Sequence, residues 1–386
     1  MVGEWFLLRL SPLPDVMQIC YFGGYRANYP RSRTQILALT RAGHSVVECR
    51  VSPQLKTIRK IAGLLRIFWA SHRRYDAIIV AEFNQTIVPF AWMLSRLIGA
   101  TLVFDPAISF YEDWVLVQNA YHPFSVRGLY FRLIDEVAFR LADYVLWYMP
   151  ADCPYFAKVF PTLCDKQSWS PPAIDERILS PLPLKPPGSE FVVHLNSSYL
   201  LTHGIDVVLR AAKLLMDDGS IVFDLVGRGP TYESMVELAK SLRLNNVFFR
   251  DTIPIEELPE AYRDADVCLG AFRDDAKLAR LIELKIISAL ASARPVIAAD
   301  SPLKRQFFRP DEEIVLVPPG NPGALADAIR RLRADPAWRA RLAEAGQRAA
   351  VRHFSLDKVG RRMTDVLSAA IERRRGVVGQ NPHPPL

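Results

Sequence analysis

Two periods alternate along this chain. Short, nearly continuous apolar runs such as MQICYFG, DAIIVA, TLVFD, FVVHLN and IVFDLV end in glycine or polar turns. Between them lie longer segments whose apolar residues recur every three or four positions. The first kind suits strands buried on both faces, and the second suits amphipathic helices. The pattern predicts strands at Met17–Gly23, Ser45–Cys49, Asp76–Ala81, Thr101–Asp105 and Asp143–Trp147. Helices are expected at Arg33–Ala42, Gln54–Arg74, Val88–Ile98, Leu129–Leu141 and over most of Pro150–Phe160. The alternation then resumes, with strands at Phe191–Asn196, Ile221–Val226, Asn246–Arg250, Asp266–Ala271, Val296–Ala299 and Asp311–Pro318. Helices are expected there at Ile205–Met216, Gly323–Arg333, Pro336–Val351 and from Phe354 to about Ile371. Strand–helix alternation of this kind builds doubly wound α/β sheets. Pro181, Pro183, Pro186, Pro187 and Gly188 mark a break. The expected organisation is an extension over 1–16, an α/β domain over 17–180 and a linker over 181–190. A second α/β domain over 191–353, a helical segment over 354–372 and a tail over 373–386 follow.

One stretch organises the rest. ARLIELKIISALASARPVIAAD, residues 279–300, reads as a helix, a turn and a buried strand. Ile282, Ile286, Ala289 and Ala293 give it an apolar face, and Lys285, Ser288 and Ser292 share a polar one. Pro295 is expected to end the helix, since it lacks an amide hydrogen and restricts the residue before it.

Composition narrows the class. Half of the 386 residues are hydrophobic and 23% are charged, which is globular. The five cysteines have no CxxC or metal-ligand spacing, so reduced thiols and no metal site are expected. The opening residues lack the basic start and cleavage site of a secretory signal, and Met17 stands where the first strand begins, as an alternative start. No apolar run reaches the ~20 residues that span a bilayer. The net charge of +7 suits an anionic partner, either a nucleotide or a phospholipid surface. Residues 54–74 carry Lys56, Arg59, Lys60, Arg66, Arg73 and Arg74 with no acid, interleaved with apolar residues. That pattern reads equally as a helix docking on an anionic membrane and as an outer helix packed on a sheet. It does not continue into a nucleic-acid-binding motif, so no nucleic-acid partner is expected.

Several motifs resemble glycosyltransferases of family 4 (group 1), clearest over 191–370. The organising stretch keeps that family's Ala279, Arg280, Ile282, Lys285, Ala289, Leu290, Ala291, Pro295, Val296 and Ile297, and YRANYPRSR, VFDPAISFYED and SPPAID resemble segments of the same branch. The resemblance implies the α/β GT-B fold, two Rossmann-like doubly wound domains facing a central cleft, with the last helix crossing back to the first. It implies an acceptor-side first domain and a nucleotide-sugar-binding second domain. The activity implied is sugar transfer, with retention, from a nucleoside-diphosphate sugar to a glycan or lipid-linked acceptor. No metal or other cofactor is implied. Donor-binding candidates are Ser198, His203, Gly227, Arg228, Gly229, Ile253, Arg280, Glu283, Lys285 and Ser288. Ser288 stands where the family's ribose-binding glutamate falls, and Ser198 where relatives place an arginine. Weak nucleotide binding is therefore expected, carried by Lys285 and Arg280.

Ligands of open α/β sheets bind beyond the carboxyl ends of strands. That rule points in the first domain to Gly23, Gly24, Arg31, Glu82 and Ser109, with Asp105 and Asp113 as catalytic candidates. Two other readings stay open: a GT-B protein that binds a nucleotide or partner without catalysis, and a nucleotide-sugar epimerase. The expected place is the cytoplasm, with the inner face of the membrane if the basic helix docks there.

Overall fold

The structure, a computed structural model, describes residues 16–71, 73–185, 188 and 190–376. Most of the expected extension, part of the linker and most of the expected tail lie outside these residues. The described chain divides into two compact units: one takes its residues up to 147, 156–168 and from 360 on, and the other its residues within 148–155 and 169–359.

The first unit is built on β1 (Gln18–Gly24), α1 (Pro30–Arg41), β2 (Ser45–Val51), α2 (Thr57–Ala70), β3 (Ala77–Val80), α3 (Val88–Ile98), β4 (Thr101–Phe104), α4 (Val126–Leu141) and β5 (Tyr144–Trp147). The division between units falls within α5 (Asp152–Val159) and β6 (Gln167–Trp169). The strand order is β2-β1-β3-β4-β5-β6, with β1 to β5 parallel. The runs AIIV, TLVF and YVLW are buried at every position, as strands with helices over both faces require.

The second unit repeats the scheme. It contains β7 (Phe191–Asn196), α6 (Ile205–Leu214), β8 (Ile221–Val226), α7 (Tyr232–Ser241), β9 (Val247–Arg250), α8 (Leu258–Arg263) and β10 (Val267–Leu269). After these come α9 (Leu284–Ala291), β11 (Val296–Ala299), α10 (Pro302–Phe307), β12 (Val315–Val317), α11 (Pro322–Ala334) and α12 (Pro336–Phe354). A last helix, α13 (Leu356–Arg374), begins in this unit, and its residues from Gly360 on belong to the first. Its sheet is fully parallel, in the order β12-β11-β10-β7-β8-β9. Two doubly wound α/β units are thus present, as the apolar runs predict.

Both sheets have a point where the chain reverses its direction of winding. It lies between β1 and β3 in the first sheet and between β7 and β10 in the second. The carboxyl ends of these strand pairs are where ligands of such sheets bind.

The organising stretch differs from the helix expected. Leu278–Arg280 is an isolated 3-10 turn, Leu281 and Glu283 are extended, and α9 starts only at Leu284. The break has a tertiary cause: the Glu283 carboxylate accepts the Ala271 amide at 2.9 Å, just beyond β10. The helix also ends before Pro295. Ala293 takes a left-handed conformation (φ 54°) with its amide on Leu290 O, and Arg294 N bonds Ala289 O, a C-terminal closure complete without proline. Ile286, Ile287, Ala289 and Leu290 are buried, and each isoleucine contributes about 1.5–3 kcal/mol of apolar burial.

Candidate functional site

In the second unit, β7 leads through a short loop to a 3-10 turn, Leu201–His203, and Gly204 caps the start of α6 at Ile205. His203 Nδ1 lies 2.7 Å from Ser197 Oγ, which also accepts the Tyr199 amide at 3.1 Å. A Ser197 hydroxyl that donates to Nδ1 satisfies both groups and leaves the imidazole proton on Nε2. The Phe272 amide, beyond β10, donates to His203 O at 3.0 Å. His203 is therefore stitched to the loop on the other side of the winding reversal.

Lys285 occupies the first turn of α9. Its Nζ is buried and makes no hydrogen bond within the described chain. Burial holds the Lys285 ammonium down to about 8, only partly offset by the Glu283 carboxylate. Burial, and then the charge of Lys285, push His203 down to about 3. The imidazole is thus neutral near pH 7, rather than a group titrating in the working range. A buried ammonium, a neutral imidazole and a helix N-terminus together favour a bound anion.

The remaining donor candidates are placed differently. Gly227 and Gly229 do bring backbones close, but what approaches is the chain's own loop: a Cβ at either would collide with Ser197 O or Ser198 O. Ser198 itself is exposed. Arg228 is exposed, bonds Asp251 and lies over the Tyr232 ring at 4.0 Å. Ile253 is half-buried and packs on the core that contains Leu258 and Ile286. Glu283 is spent on Ala271 N and on Lys304, 3.3 Å away.

Two donor assignments need correction. Arg280 is not beside Lys285 in one helix. It sits in the separate 3-10 turn, with Nε 3.5 Å from Asp152 and its guanidinium 3.5 Å above the Tyr155 ring. Ser288 is 2% exposed, on the face of α9 turned into the core rather than on an open polar face. It offers no approach for a ribose in this arrangement, because all of α9 from Ile286 to Ala291 is buried.

In the first unit, the carboxyl ends of β1 and β3 are clamped by Asn84. Its Oδ1 accepts the Gly24 amide at 2.9 Å, and its Nδ2 donates to Gly24 O and Glu82 O at 3.2 and 2.7 Å. Gly23, next in line, packs directly on the same side chain. Asp105 and Arg31 form a buried ion pair at 2.8 Å, and Arg31 also donates to Trp147 O. Neither is open to a substrate, so the catalytic candidacy of Asp105 and the ligand candidacy of Arg31 are both corrected. Ser109 is likewise committed: it donates to Asp135 at 2.6 Å and accepts the Glu112 amide, starting the turn that follows. Asp113 is half-buried and accepts the Gln118 amide group.

Glu82 is the exception. It is buried, one oxygen accepts Ser32 Oγ–H at 3.0 Å, and Oε2 has no partner among the described residues. Burial, and then the Asp105 charge, push its carboxyl up to about 7. Non-glycine residues with positive φ follow the strands here, Phe83 after β3 and Ala107 after β4. Such strain gathers at functional sites. Ser32 and Ser197, the partners of Glu82 and His203, were not foreseen. Each is a short hydroxyl in a segment already singled out, and only the fold shows what it bonds.

Two doubly wound α/β units, each on a parallel six-stranded sheet, make up the architecture of the GT-B class. The sequence profile of the family described as "Glycosyl transferases group 1" matches residues 191–335. A D-inositol 3-phosphate glycosyltransferase of Xylanimonas cellulosilytica is 32% identical over 177 residues, covering 45% of this chain and 41% of the relative. One from Salinispora tropica is 31% identical over 182 residues, covering 44% and 36%. The matched region thus spans well under half the length of these relatives. Among solved structures, sucrose-phosphate synthase from Thermosynechococcus elongatus superposes with a TM-score of 0.71 at 18% identity, covering 92% of this chain and 100% of that one. Anabaena HepE in complex with UDP-glucose gives 0.67 at 16% identity over the same shares. At these identities the superpositions establish the GT-B fold and nothing finer.

Proposed function

We propose that this protein is a glycosyltransferase that moves a sugar, with retention, from a nucleoside-diphosphate sugar to a glycan or lipid-linked acceptor. The observation that carries the reading is Lys285: a buried ammonium without a hydrogen-bond partner, in the first turn of a helix, inside the family-matched segment. Expelling a diphosphate requires fixed positive charge where negative charge develops, and a lysine at a helix N-terminus supplies it without reorganisation. The His203 Nε2–H adds a neutral donor. No metal takes part in this reading. UDP is the nucleotide we favour, since HepE is described in complex with UDP-glucose.

The test is a thermal-shift series with UDP, GDP and ADP. Binding to the native state raises the melting temperature by mass action. A rise with UDP or GDP is expected, and no shift with any nucleotide at millimolar concentration would sink the proposal. The buried Ser288 and the engaged Arg280 favour a second reading, a GT-B protein that binds nucleotide without catalysis. Nucleotide binding without donor hydrolysis or transfer would select it.

A further inference from the structure

The strand order β2-β1-β3-β4-β5 sorts the helices of the first unit. The steps from β2 to β3, β3 to β4 and β4 to β5 all run the same way across the sheet. Right-handed crossovers therefore lay α2, α3 and α4 side by side on one face. The step from β1 to β2 runs the other way and puts α1 on the opposite face, where Gly360 of α13 packs against Ala38.

The outer side of the α2–α3–α4 layer is apolar where solvent-facing helices are usually polar. On α4, Val126, Leu129, Leu133 and Val137 fall at steps of three and four and are all exposed, Val126 to 86% and Leu133 to 61%. Beside them α3 exposes Trp92, Met93 and Leu97, and α2 exposes Ile58 and Trp69. These residues share faces by helical spacing, so they are not singly scattered surface hydrophobes.

Charge tells what covers this face. The three helices hold seven Lys and Arg residues against two acids, Asp135 and Glu136. Asp135 is fully buried, and Glu136 is paired to Arg140. Arg127 lies over the Tyr121 ring at 5.1 Å, and Arg132 over Tyr111 at 5.4 Å. Neither has a carboxylate within ion-pair distance among the described residues. Two of the seven cations are engaged elsewhere: Lys60 folds over Gly24, and Arg96 pairs with Asp143 at 2.6 Å. A second copy of the chain would bring these same cations face to face in a two-fold contact, which like charge opposes. Among the described residues no helix is long and apolar enough to cross a membrane.

We propose that the outer face of α2, α3 and α4 docks on an anionic phospholipid bilayer. Its leucines and tryptophans enter the boundary between headgroups and acyl chains, and its arginines meet lipid phosphates. The basic helix α2, singled out in the sequence, is then one edge of a wider surface centred on α3 and α4. The proposal does not rest on the transferase reading, because vesicle binding is measured without nucleotide.

The experiment is sedimentation of the full chain with phosphatidylcholine vesicles, with and without about 30% phosphatidylglycerol. Binding is expected to the anionic vesicles, weakened by salt and low on neutral ones. Leu129→Gln with Leu133→Gln is expected to cut it roughly tenfold or more, as loss of two inserted side chains requires. Both positions are exposed, so the melting temperature should hold. Arg59→Gln with Arg66→Gln should weaken binding to anionic vesicles only. The proposal fails if wild type does not sediment with anionic vesicles, or if the leucine variant binds as wild type does. It also fails if light scattering shows a dimer that the leucine variant dissociates and no vesicle binding, which assigns the face to a second copy.

Discussion

Arg31 and Asp105, 74 residues apart in sequence, form a fully buried ion pair beneath the carboxyl end of the first sheet. Arg31 Nε lies 2.8 and 2.9 Å from the two carboxylate oxygens, and its Nη2 2.8 Å from one of them. The pair joins the start of α1 to the end of β4. Burial alone raises the Asp105 carboxyl, and the guanidinium opposes that rise. Removing one partner leaves a bare charge in the core, which costs about 3–5 kcal/mol, whereas replacing both with apolar residues is often close to neutral. Arg31→Met should therefore destabilise far more than Arg31→Met combined with Asp105→Leu, in chemical unfolding of the two variants. Additive losses would show that the two side chains do not depend on each other.

Glu82 carries a pH signature. Its carboxyl, raised from 4.5 to about 7, is protonated in the folded chain where it is ionised in the unfolded one. Between these values the folded state binds more protons, so stability from this group falls as pH rises from about 4.5 to about 7 and stays low above that. Glu82→Gln removes the ionisation and keeps a group that bonds Ser32. It should stabilise the protein at pH 8, on the order of 2–3 kcal/mol, and have little effect near pH 4.5. Melting curves at the two pH values decide it. An equal effect at both would mean Glu82 titrates normally.

What could be read in the sequence was what depends on local pattern. Runs such as AIIV and TLVF specify strands with both faces covered, so the two doubly wound sheets follow from them, whereas the GT-B fold was implied only by the resemblance of motifs such as residues 279–297. What could not be read were choices made by distant partners. The expected helix over 279–294 breaks because Glu283 finds the Ala271 amide. Arg280 stands in a separate 3-10 turn and faces Asp152 and Tyr155, more than 120 residues earlier. Ser288 is polar by type, yet α9 is a short helix buried along most of its length, so a hydroxyl small enough to enter the core goes there. Gly227 and Gly229, donor-binding candidates by resemblance, are approached by the Ser197–Ser198 loop, a contact that no local pattern specifies.

Lys285 links binding to proton uptake. In the nucleotide-free protein its ammonium is half deprotonated near pH 8. A diphosphate held against Nζ favours the charged form and raises that value again. Binding above about pH 8 must then take up a proton, so affinity for UDP should fall as pH rises through that range and be flat, as far as this residue goes, below it. Stability without nucleotide runs in the opposite sense. The folded-state value is below the unfolded 10.5, so burying the charged amine costs stability below about pH 8, and the cost fades as pH climbs toward 10.5. Lys285→Met should thus melt higher than wild type at pH 7 while binding UDP more weakly, by roughly 1.5–3 kcal/mol, the worth of a hydrogen bond to a charged group. Its affinity should lose the alkaline decline. Calorimetric titrations with UDP at a series of pH values, with melting curves on the same samples, measure all three quantities. A Met variant that melts higher and binds UDP with unchanged affinity would remove Lys285 from the donor site and leave it a buried lysine of the core.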